Sequence, residues 1–160
     1  MRVLAIPALV LALSQLGPAL WLELKATLAQ QLIAAAWRAP GEARPWPWAD
    51  TFPLARLDLP AQQASLYVLA GGQGHALAFG PAHDSRSSLP GTRGMTVIAG
   101  HRDTHFAVLE QVALGDALQL TDKTGLTHHY RVTDMQVVDS RRQPLQLSGD
   151  GLALVTCFPF

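Results

Sequence analysis

A chain of 160 residues with 49% hydrophobic side chains suffices for one domain with its own core. Twelve basic and twelve acidic residues give a formal net charge of zero, which offers no basic excess for a nucleic-acid surface. The single cysteine excludes an internal disulfide; in an oxidising compartment such a thiol is either buried or reactive.

The apolar excess is concentrated at the N-terminus. Residues 3–22 carry no charge, and a run of about 20 such residues spans a hydrocarbon core of roughly 30 Å. Pro7, Gly17 and Pro18 would weaken a soluble helix, but a membrane helix tolerates them. The apolar region of a cleaved signal peptide is shorter, about 7–15 residues, so residues 1–22 predict an uncleaved transmembrane anchor. Arg2 and the α-amino group precede the run, whereas Glu23 and Lys25 nearly cancel after it. That bias slightly favours the N-terminus inside and the domain outside. Leu24, Leu28, Leu32 and Ala35 or Ala36 then recur at helical spacing, predicting a helical stalk that Pro40-Gly41 ends. Stalk and linker together occupy 23–45. In 42–53 the Pro45-Trp46-Pro47-Trp48 stretch is held extended by its prolines. Its tryptophans either sit at a lipid interface or pack on the domain as a strap.

The domain proper runs from 46 to 160. Residues 54–59 alternate apolar and polar and read as a half-buried strand stopped by Pro60; residues 65–70 read as a second strand. Gly71-Gly72-Gln73-Gly74 has neither the lysine nor the spacing of a phosphate loop and reads as a tight turn. Residues 76–80 form a short apolar segment, and 83–94 a polar loop. His75 and His83 are expected at the surface. Met95-Thr96-Val97-Ile98-Ala99 is an apolar strand followed by Gly100-His101. Residues 104–112 predict a short helix with Phe106, Leu109 and Val112 or Ala113 inward. Residues 117–120 form a strand, 122–125 a hairpin loop, 129–138 a long strand with His128 and His129 as surface residues, and 139–150 a polar loop. The chain closes on the strand Leu152-Ala153-Leu154-Val155-Thr156-Cys157, followed by Phe158-Pro159-Phe160. Many short strands with Gly/Pro turns and little helix argue a mainly β antiparallel barrel or sandwich.

Two apolar strands therefore deliver a reactive side chain at their C-terminal ends, His101 and Cys157. A thiol and an imidazole are the minimum for cysteine nucleophilic catalysis, because a basic partner raises the thiolate fraction. The bland alternative is an inert core cysteine, since free cysteine is among the most buried residue types. His101 and His105 stand four apart, as zinc ligands on a helix do, but the glutamate of a metalloprotease signature and cysteines at metal spacing are missing. No metal or organic cofactor site is predicted. Asp103 is a candidate to orient an imidazole, to hold the loop, or to cap the helix beginning near Thr104.

Ala99-Gly100-His101-Arg102-Asp103 followed by Leu154-Val155-Thr156-Cys157 resembles the paired signature of sortases, the cysteine transpeptidases of bacterial surfaces. The longer phrases Ala99-Gly100-His101-Arg102-Asp103-Thr104-His105-Phe106 and Val155-Thr156-Cys157-Phe158-Pro159-Phe160 resemble the Gram-negative, marine-proteobacterial branch. The resemblance covers 46–160. It implies a closed antiparallel β-barrel with short helices behind the transmembrane helix, and a rim role for 83–94 beside a substrate groove. It implies Cys157 as nucleophile and His101 as acid and base, acting on an LPxTG-like sorting signal of a surface or envelope protein through a thioacyl intermediate. An amine that the resemblance leaves undefined would accept the product. Val97, Ile98, Val155 and Thr156 are candidate substrate-binding residues, with Val97, Ile98 and Val155 forming a floor beneath the catalytic pair. The implied location is the cytoplasmic (inner) membrane, single-pass, with the catalytic domain on the periplasmic side. In sortases a catalytic arginine follows on a further strand. No residue after Cys157 matches it here, and Arg102 does not occupy that position. On this comparison the chain is expected to stop before the last barrel strand and to be nearly inactive as it stands. The rival readings are a tethered module that binds sorting signals without turnover, and a hydrolytic cysteine peptidase.

Overall fold

The computed structural model describes residues 21, 24–71, 74–139, 141–142 and 148–160. Of the apolar run 3–22 only Trp21 is among them, so the predicted anchor lies outside the described residues. No helix of the described residues is long and apolar enough to cross a membrane.

A helix, α1 (24–38), precedes seven strands: β1 (Pro53–Leu59), β2 (Ala64–Ala70), β3 (Ala82–His83), β4 (Met95–Ala99), β5 (Ala117–Asp122), β6 (Thr127–Arg131) and β7 (Gly151–Val155). They hydrogen-bond in the order β6-β5-β1-β2-β3-β4-β7 and curl into a nearly closed barrel. The period-2 pattern read from the sequence is realised in β1, where Ala55, Leu57 and Leu59 are fully buried and Arg56 pairs with Asp58 on the other face at 3.0 Å. These side chains join Val68, Ile98, Phe106, Leu118 and Leu120 in the main core.

The sheet is mixed, not purely antiparallel. β2 runs parallel to β3 and β4 runs parallel to β7; the other pairings are antiparallel. Parallel neighbours need a crossover longer than a hairpin. The 51 residues between Ala99 and Gly151 supply one, holding the β5–β6 hairpin within it.

Helix α1 does not stand clear of the barrel; it packs on it. Val68 and Leu69 point to opposite faces of β2, yet both are fully buried, because α1 covers the second face. Ile33 meets Leu69, Ala76 and Ala82 there, with Trp46 and Phe79 alongside. The buried stripe is Ala29, Ile33 and Ala36; Leu24 and Leu28, expected on the apolar stripe, are 59% and 51% exposed. Both sets fit helical spacing, so the periodicity alone could not choose the buried side. Lys123, in the β5–β6 hairpin, donates to the carbonyls of Ala36, Trp37 and Ala39 at 3.0–3.1 Å and lies 5.2 Å from the Trp37 ring. It satisfies carbonyls that the helix end leaves without intrahelical partners. Of the strap tryptophans, Trp46 packs edge-on against Phe79 at 4.9 Å, while Trp48 is 83% exposed.

Other expectations are corrected. The helix predicted over 104–112 is a run of turns followed by a 3-10 helix, Ala107–Gln111. The short apolar segment 76–80 lies within and just after another, Gly74–Ala78. The strand predicted over 129–138 covers only Thr127–Arg131, and 132–139 is irregular. Val137 and Met135 are exposed, so the apolar letters there pack on nothing that would order a ladder. His83 is not a surface residue. It is 3% exposed, and its Nε2 lies 3.0 Å from the Ser88 carbonyl and 3.1 Å from Ser87 Oγ. His128 is half-buried, 3.2 Å from Asp122, whereas His129 and His75 are exposed as expected.

Candidate active site

β4 and β7 lie side by side, parallel and in register, with Ala99 opposite Val155. His101 follows Ala99 by two residues and Cys157 follows Val155 by two. Equal steps from matched partners bring the two ends out at the same level of the barrel, where neighbouring strands are about 4.8 Å apart. Both side chains are exposed.

The register continues past the strands through hydrogen bonds. Gly100 N–H donates to the Val155 carbonyl at 3.0 Å, and the Thr156 hydroxyl donates to the Gly100 carbonyl at 2.8 Å. At the opposite ends of the same strands, Gly151 N–H donates to the Gly94 carbonyl at 3.2 Å and Asp150 accepts from Gly94 N–H at 2.6 Å. The two strands are thus fastened at both ends, which fixes their relative slide.

The histidine turn is held from beneath. The His101 carbonyl accepts from the N–H groups of Thr104 and Phe106 at 3.3 and 3.1 Å, and Phe106 is fully buried. Its ring lies so close to Gly100 that a Cβ there would sit 2.7 Å from two ring carbons. Only glycine permits that approach, which explains the residue before His101. His105, on the same turn, is half-buried; burial first, and then the charge of nearby His101, lower its pKa from the usual imidazole value.

The other candidate residues differ in their placement. Ile98 is fully buried in the core beneath the site, and Val97 and Val155 are half-buried on their strands. Thr156 is engaged with Gly100, a bond between the two strand ends that the sequence did not signal. Asp103 caps no helix: the 3-10 helix begins after Phe106 and has no side-chain cap. Its carboxylate instead takes a two-pronged bond from Arg102 at 2.7 and 3.0 Å. Arg102, set aside by the sequence reading, also donates to the Pro159 carbonyl at 2.5 Å. Adjacency to His101 was the only sequence signal for it. The loop 83–94 gives Ser85, Ser87 and Leu89 to an open recess of about 400 Å³ shared with Phe52 and Leu54. A second recess, of about 350 Å³, separates α1 from Thr104 and His105. Among the described residues no three His, Cys, Asp or Glu side chains converge as a metal site.

The barrel and the sequence have known relatives. A family profile described as the sortase domain matches residues 57–160. Sortase D of Bacillus subtilis strain 168 is 32% identical over 107 residues, covering 65% of this chain and 54% of that protein. Sortase A of Corynebacterium diphtheriae superposes with a TM-score of 0.59 at 30% identity, over 71% of this chain and 56% of the other. Sortase C-1 of Actinomyces oris gives 0.57 at 30% identity, over 68% and 66%. The chain therefore spans about half the length of the Bacillus and Corynebacterium relatives. With the profile covering well over half the sequence and the same barrel shared, the chain belongs to the sortase family.

Proposed function

We propose that this chain carries the catalytic cysteine and histidine of a transpeptidase that acts on an LPxTG-like sorting signal. The observation that carries the reading is the in-register parallel pairing of β4 and β7, which brings His101 and Cys157 out together at an exposed barrel edge. The Cys157 sulfur attacks the Thr carbonyl carbon of the signal. The Thr–Gly C–N bond breaks, and His101 protonates the departing glycine amine. A thioester links the substrate's threonine to Cys157. An incoming amine then attacks the same carbonyl, His101 takes its proton, and the thiolate leaves. Val97 and Val155, half-buried on the two strands, line the floor under the peptide. The substrate is a surface or envelope protein. The uncharged run 3–22 tethers the chain to the cytoplasmic membrane of a Gram-negative envelope, with the barrel on the periplasmic side.

The test is product analysis with an LPxTG peptide and a primary amine such as triglycine. The transpeptidase reading predicts a threonyl-triglycine product, formed at a low rate, that disappears in Cys157→Ala and falls on the order of 10²-fold or more in His101→Gln. Free acid alone, with no transfer at high amine, identifies a hydrolytic peptidase instead. Peptide capture without turnover or covalent adduct identifies a binding module.

A further inference from the structure

Gly100 and Arg102 flank His101, and Thr156 and Pro159 bracket Cys157. The two segments are joined on both sides of the reactive pair. On one side the Thr156 hydroxyl donates to the Gly100 carbonyl at 2.8 Å. On the other, Arg102 Nη1 donates to the Pro159 carbonyl at 2.5 Å, a link between residues 57 apart in sequence. Arg102 Nε and Nη2 are taken by the two Asp103 oxygens. Three nitrogens held by two neighbours fix the plane of the guanidinium, whose donors form a rigid fork. Asp103 is 77% exposed and, among the described residues, makes no other side-chain ion pair, so its geometry serves the arginine.

We propose that Arg102 is a positioning residue for the thiol: buttressed by Asp103, it clamps the chain after Cys157 to the histidine turn and keeps a positive charge beside the sulfur. The guanidinium is held above its ordinary range, chiefly by the hydrogen bond and charge of Asp103 and more weakly by Cys157. The bond to Pro159, two residues after Cys157, holds the guanidinium against the segment that carries the sulfur. A lysine would keep the charge but could not hold Asp103 and Pro159 at once.

The catalytic meaning of this clamp rests on the transpeptidase reading, but the test reads the thiol itself. Cys157 is the only cysteine in the chain, so alkylation reports on it alone. The full chain and its R102Q and R102K variants are reacted at low ionic strength with neutral iodoacetamide and anionic iodoacetate. The positive charge predicts that the iodoacetate-to-iodoacetamide rate ratio falls about 3-fold to 5-fold in R102Q, and that added salt removes the difference. R102K keeps the ratio. Both variants lose roughly 10-fold in kcat for peptide transfer with KM changed less than about twofold, because the clamp is gone in each. A ratio unchanged in R102Q overturns the charge. A kcat fully restored by R102K overturns the clamp. If no form of the protein turns over peptide, the transpeptidase reading fails while the alkylation ratio still decides whether Arg102 acts on the sulfur.

Discussion

Gly100→Ala is a one-methyl change whose cost can be worked from the coordinates. The added Cβ would lie 2.7 Å from Cγ and Cδ2 of Phe106 and 3.1 Å from Cδ1, whereas carbon atoms rest at about 3.5–4.0 Å. Nearly 1 Å of overlap has to be relieved. Phe106 cannot yield easily, being fully buried against the barrel core. The histidine turn must move instead, and it carries the Gly100 bonds to Val155 and Thr156. Overpacking of this kind costs about 1–3 kcal/mol. The assay is urea unfolding followed by tryptophan fluorescence, in a double-mutant cycle with Phe106→Leu. Leucine is smaller and loses about 1–2 kcal/mol on its own, but it makes room for the new methyl. The double variant should then be more stable than the sum of the single effects predicts, with a coupling of at least about 1 kcal/mol. Strict additivity would show that the Gly100–Phe106 approach does not set the turn, and the account of why glycine precedes His101 would be wrong.

Three further predictions follow from other contacts. Lys123→Met removes the three carbonyl bonds at the end of α1 and should cost about 2 kcal/mol; amide exchange should accelerate through 33–39 while β1 and β5 stay protected, and uniform exchange would refute the local role. Thr156→Val keeps the shape and deletes the bond to Gly100; it should cost about 1 kcal/mol in stability and reduce kcat more than it raises KM, and a change confined to KM would mark Thr156 as a binding group only. Asp84 is held down to a pKa of about 2, mainly by its hydrogen bond from Arg86. A depressed carboxylate gives stability that is present above its ordinary value of 3.8 and lost as the pH falls through about 2. Asp84→Asn should therefore be less stable than the parent above pH 4 and converge with it near pH 2. Arg86 is largely in solvent, so the difference should be small and salt-sensitive, and a difference that grows toward low pH would contradict the assignment.

Much of the barrel was legible because its strands carry local signals. β1 alternates, β4 is apolar and β-branched, β7 is apolar, and each ends in a glycine, proline or polar turn. The neighbouring placement of His101 and Cys157 rests on the same signals, since both residues follow core strands closely. What the sequence withheld was tertiary. The parallel pairing of β4 with β7 joins residues 56 positions apart, which no local pattern encodes. The buried side of α1 is decided by the small residues Ala29 and Ala36, which let the helix approach the barrel, while the larger leucines at 24 and 28 remain outside. His83 is buried because its ring nitrogen finds Ser87 and Ser88 a few residues on, and composition gives no sign of that. Residues 132–139 carry strand-like letters but lack a partner ladder. Arg102 stands beside His101 in the sequence, but its bond to Pro159, which joins the two segments of the site, is tertiary.

The central claim is that Cys157, beside His101, forms a covalent acyl link with a sorting-signal peptide. The most direct measurement is the intact mass of the full chain after brief incubation with an LPxTG peptide and quenching in acid. The account predicts an adduct equal to the peptide up to its threonine, less one water. The adduct should map to Cys157, be released by hydroxylamine, and be absent from Cys157→Ala. An unmodified chain under conditions in which the peptide is consumed, or an adduct that persists in Cys157→Ala, would contradict it.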